Sequence, residues 1–108
     1  MSAAAFRQRL REDLKTAMRA RNEGEVRLLR ALGAAIDNAE AVPLGDEELR
    51  RFTEGEMARR ELSDADIAEL LARERSERLE AAADFDRLGQ AAEAERLRAE
   101  AALVARYA

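Results

Sequence analysis

Apolar residues return every three or four positions through most of this chain, in four blocks separated by turn residues. That period marks amphipathic helices. In the first block Ala3, Phe6, Leu10, Leu14, Ala17 and Met18 share one face, predicting a helix over residues 3–21. Leu28, Leu29, Leu32, Ala35, Ile36 and Ala39 predict a second, running to about Ala41. Ile67, Leu70, Leu71, Ala81, Ala82, Phe85 and Leu88 mark the third and longest, over 62–88. At ~1.5 Å per residue it measures roughly 37 Å, enough for the other helices to pack along it. Ala94, Leu97, Ala101 and Val104 form a thinner stripe in a fourth, over 90–106, with Leu103 and Tyr107 flanking it.

The punctuation agrees with the period. Ser63 is placed as an N-cap with Asp66 three residues on, a capping-box spacing, and Leu62 and Ile67 stand at the staple positions. Gly89 follows Leu88, where a left-handed cap is expected. Asn22 and Glu25 repeat the capping-box spacing before the second helix. Gly33 inside that helix costs about 1 kcal/mol relative to Ala, which predicts the close approach of another helix. Val42-Pro43-Leu44-Gly45 closes it. Residues 46–61 are highly charged, with only Leu49, Phe52 and Met57 as apolar anchors, and a short helix over Asp46–Thr53 is the one element expected there. The outline is all-α: a small bundle of two antiparallel helical hairpins joined by a charged loop at about 43–62, with a long third helix.

Composition narrows the chemistry. The 108 residues include no Cys and no His, which removes disulfides, thiolate zinc sites, imidazole ligands and the usual general base. No run approaches the ~20 apolar residues of a membrane span, so no membrane partner is expected. Residues 1–10 lack the apolar core of a signal peptide, which makes the cytoplasm the expected location. Net charge is −4, unevenly divided: residues 1–38 hold eight basic and five acidic side chains (+3), and residues 39–108 hold eleven and eighteen (−7).

Within the basic part, Arg7, Arg11, Lys15 and Arg19 recur every four residues as a ridge on the first helix. Such a ridge serves either as a solvated face or as a docking strip for phosphates or an acidic partner. On the third helix Glu74 and Arg78 project into the middle of the apolar stripe, four apart with the acid first, the favoured order for a helical ion pair. They either fix helix register or recognise a partner. Ser2, Ser63, Ser76, Thr16, Thr53 and Tyr107 are the hydroxyl nucleophile candidates, and Lys15 is the sole lysine. No catalytic constellation, cofactor motif or metal-ligand spacing emerges.

Leu14-Lys15-Thr16-Ala17-Met18 through Arg21, then Leu29-Arg30-Ala31-Leu32 and Asn38-Ala39-Glu40, resemble the amino-terminal hairpin of the GatB/YqeY family. Glu74, Arg78, Phe85 and Gly89 resemble that family's Glu-x-x-x-Arg and Phe-x-x-x-Gly pattern, and Glu95, Glu100 and Tyr107 its closing helix. The resemblance implies an all-α fold and kinship with the tail domain of the tRNA-dependent amidotransferase B subunit, which holds tRNA rather than performing chemistry. It carries a family label of carbon–nitrogen ligase activity with glutamine as amido-N donor. Lys15, Arg30, Asn38, Glu74 and Arg78 are the matched polar positions. Many members continue into a second small helical domain, so residues 1–108 are expected to form one YqeY-like domain. The expected role is a non-catalytic accessory module for tRNA or a translation-associated protein, with Arg7, Arg11, Lys15, Arg19, Arg30 and Asn38 facing the partner. The alternative is a protein–protein adaptor that binds no RNA.

Overall fold

A computed structural model describes residues 1–41 and 61–108. The charged loop and the short helix expected over 46–53 fall largely outside these residues. Among the described residues there are four helices and no strand: α1 (Ala3–Arg19), α2 (Glu23–Glu40), α3 (Asp64–Arg87) and α4 (Ala91–Ala105).

Local chemistry sets the ends. Ser63 accepts the Asp66 amide at 3.1 Å and the Asp66 carboxylate accepts the Ser63 amide at 3.0 Å, completing the capping box. Only half of the second box forms. Asn22 accepts the Glu25 amide at 3.1 Å, but the Glu25 side chain turns elsewhere. Its charge, with Glu23, still favours the positive end of α2.

Both tight turns use the same closure. After α1, the Asn22 amide reaches the Ala17 carbonyl and the Arg21 amide reaches Met18. After α3, the Gln90 amide reaches Phe85 and the Gly89 amide reaches Asp86. Each is the paired bond of a Schellman cap, which requires a left-handed residue between. Gly89 fills that place at φ 74° and Arg21 at φ 55°. The first helix therefore stops at Arg19 rather than 21.

The two hairpins meet at one end. Phe6, Leu10 and Ala17 of α1, Leu28, Leu29, Leu32 and Ile36 of α2, Leu62, and Ile67, Leu70 and Leu71 of α3 form a common core with Val104 and Tyr107. Burying each large aliphatic or aromatic side chain stabilises the fold by roughly 1.5–3 kcal/mol. No α3 residue after Leu71 belongs to that core. From there α3 runs on with α4, antiparallel, as the ion pairs Arg78–Glu100 and Arg98–Asp86 show.

Three expectations need correction here. The long helix is flanked along its length by α4 alone, because the α1–α2 hairpin abuts only its first half. Leu88 is 71% exposed rather than part of a buried stripe, since it lies at the tip of this arm. A Cβ on Gly33 would meet nothing within 4 Å among the described residues, so none of the four helices approaches closely there; the residue instead lies on the rim of a shallow depression.

Candidate functional site

Three places gather polar groups. The first is the seam of the arm. Arg78 donates to the Glu74 carboxylate at 3.1 Å, to the Glu74 carbonyl at 3.0 Å and to Glu100 at 3.3 Å. Arg96 reaches Glu100 and Glu93, so the charges alternate along the seam. The Arg78 side chain is only 14% exposed, with its Nε held by Glu100 of α4 and its Nη1 by Glu74 of α3. Glu74 and Arg78 do pair, and their geometry welds two helices.

The second is a cleft of about 450 Å³ where α1, α2 and the end of α4 converge, lined by Arg9, Asp13, Glu25, Arg106 and Tyr107 among others. Tyr107 is buried edge-on to Phe6, with ring centroids 5.7 Å apart. Its hydroxyl donates to Asp13, and the Arg9 guanidinium lies 4.5 Å over its ring while donating to the Arg106 carbonyl at 3.0 Å. Burial, then the hydrogen bond to the Asp13 carboxylate, pushes the Tyr107 hydroxyl above its ordinary value. A phenol so held is a poor base and a poor nucleophile at neutral pH. This constellation joins the two hairpins, and nothing in the helical period revealed it, because its partners stand 94 residues apart.

The third is the outer face of the α1–α2 hairpin. Arg7, Arg11 and Arg30 line a depression of about 230 Å³ over Leu10, Leu14 and Leu29. Arg7 is bound there by Asp37 at 2.7 Å and by Glu40, whose hydrogen bonds raise its pKa further, so its charge is spent within the fold. Arg30 also borders a second depression of about 460 Å³ with Met18, Arg21, Glu23, Val26 and Arg27. Arg11, Lys15, Arg19, Arg21, Arg27 and Arg30 have no ion pair with any described residue. Lys15 and Arg19 are exposed along α1 but line neither depression. Asn38 is exposed in the last turn of α2, apart from both. The structure thus brings Arg11 and Arg30 together, adds Arg21 and Arg27, and removes Arg7. Neither Arg21 nor Arg27 falls on the four-residue ridge, so spacing along α1 did not mark them.

No group of carboxylates among the described residues could hold a metal ion, and no helix among them is long and apolar enough to cross a membrane. The model of the Yqey-like protein family matches residues 7–108, nearly the whole chain and all of the basic face. The chain belongs to the YqeY-like family. No curated protein and no solved structure matches it. The family match spans both hairpins, so it covers the cationic face of α1–α2 as well as the ion-paired arm of α3–α4.

Proposed function

We propose that this YqeY-like chain is a non-catalytic, cytoplasmic RNA-binding module that takes tRNA on the α1–α2 face. The observation that carries the reading is the run of unpaired cations there: Arg11, Lys15, Arg21, Arg27 and Arg30 are all exposed and lack an ion pair with any described residue. Guanidinium groups left open to solvent bind phosphate oxygens and release condensed counterions, whereas those already paired with carboxylates gain little. The resemblance to the amidotransferase tail domain supports tRNA as the RNA. The reading assigns the family's carbon–nitrogen ligase label to the larger enzyme and not to this chain, whose one buried phenol is engaged by a carboxylate.

The test is retention of tRNA by the purified chain at low salt. Affinity is expected to fall with a log–log slope of about −0.7 to −0.9 per phosphate contacted. Lys15→Glu with Arg30→Glu is expected to abolish retention, and Arg87→Glu with Arg98→Glu on the arm to leave most of it. Absence of retention, or retention indifferent to the first pair, would refute the reading; capture of a protein with no RNA would favour an adaptor.

A further inference from the structure

The depression at the α1–α2 turn combines an apolar wall with a rim of arginines that have no ion pair with any described residue. Met18 is 52% exposed there, although it stands among the apolar residues of α1, and Val26 is half-buried beside it. Arg21, Arg27 and Arg30 surround these two, with Glu23 as the single acid, for a local charge of +2. The volume of about 460 Å³ falls within the roughly 300–1,000 Å³ typical of small-ligand sites. One wall is thus suited to a flat apolar group and the rim to an anion.

The backbone supplies an independent observation. The two turns are closed by the same pair of hydrogen bonds, yet one has glycine in the left-handed position and the other Arg21. A side chain is strained there, and glycine or asparagine would fit better. Strain of this kind points to a side chain needed for something other than the turn. In Arg21 the strained position puts a guanidinium at the edge of the depression, with no intramolecular partner among the described residues.

We propose that this depression receives one unpaired nucleotide of the bound RNA, its phosphate on Arg21, Arg27 and Arg30 and its base against Met18 and Val26. Unstacked bases are what proteins read in RNA, because the major groove of the A-form duplex is too narrow for side chains to enter. Glu23 stands where it can accept from an exocyclic amine. The proposal rests on the RNA-binding reading and adds to it a preference for loops over duplex and a particular role for Arg21.

Fluorescence anisotropy of the full chain with two labelled RNAs of equal length, a stem-loop and a blunt duplex, tests it. The stem-loop is expected to bind about tenfold more tightly. Arg21→Gly and Arg21→Asn, both suited to the left-handed position, are expected to keep a melting midpoint at or above that of the unaltered protein. Each should weaken stem-loop binding about five- to tenfold and make the salt slope shallower by about 0.7–1. Met18→Ser is expected to erase the preference for the loop. Equal binding of loop and duplex overturns the proposal, as does Arg21→Gly with unchanged affinity and slope. So does a lowered midpoint in both Arg21 variants, which would assign the residue to the fold. If the Lys15 and Arg30 reversals abolish binding while Arg21→Gly leaves affinity and salt slope unchanged, RNA binding stands and this site falls. If the unaltered chain binds neither RNA, both fall.

Discussion

The two hairpins contain similar numbers of arginines and tie them down to different degrees. On the α3–α4 hairpin four of seven arginines, Arg78, Arg87, Arg96 and Arg98, pair with carboxylates of their own hairpin, while Arg73, Arg75 and Arg106 have no ion pair with a described residue. On α1–α2, only Arg7 of the eight basic side chains before residue 38 carries an ion pair with a described residue. Formal charge therefore says less than availability: most of the arm's arginines are tied to its own carboxylates, while six of the first hairpin's eight cations remain open to a partner, Arg7 and Arg9 being engaged within the fold. The turns repeat the contrast, with the undemanding glycine at position 89 and a strained arginine at 21.

The contrast breaks most completely where the hairpins join. Phe6 is fully buried against Tyr107, and Phe6→Ala is expected to cost about 3–5 kcal/mol, most of the stability of a small domain. Urea unfolding by circular dichroism would show it, and a cost under about 1 kcal/mol would mean that the hairpins stand independently. Within the arm, Arg78→Ala leaves Glu74 and Glu100 facing each other half-buried, and should cost about 1–3 kcal/mol in the same measurement. Arg30→Ala on the open face should cost less than about 0.5 kcal/mol. Equal losses at the two arginines would erase the distinction between structural and available cations. At the turns, Gly89→Ala forces a β-carbon into the left-handed region and should cost about 1–2 kcal/mol.

The smallest effect is a pH dependence. The Tyr107 hydroxyl is held above its ordinary value of 10.0, so the folded chain keeps a proton that the unfolded chain releases. That contribution to stability is fully present below pH 10 and declines as pH rises past it. Tyr107→Phe should flatten the alkaline limb of the melting curve against pH; an unchanged limb would show that neither burial nor Asp13 holds the hydroxyl protonated in the folded chain.

Much of the fold was legible because it is local. The period of Leu28, Leu32 and Ile36, the Ser63 cap and the Gly89 stop are properties of neighbouring residues, and the Glu74–Arg78 pair needs only one helical turn. What depended on how the hairpins dock was not legible. Leu88 obeys the helical period, yet nothing lies opposite it. Tyr107 looked peripheral because Asp13 and Arg9 reach it only across the joint. Arg7 belonged to the ridge by spacing, and only the second helix's Asp37 and Glu40 withdraw it. Arg21 resembled any solvated cation until its φ was known.

The overhang of α3 and α4 beyond the common core has a practical consequence. The Leu88–Gln90 tip touches neither Phe6 nor the basic face, and its chain reverses in full solvent. Foreign residues grafted between Gly89 and Gln90 are therefore expected to leave the common core intact, making this bend the natural place for a dye, an affinity tag or a tether to a second protein.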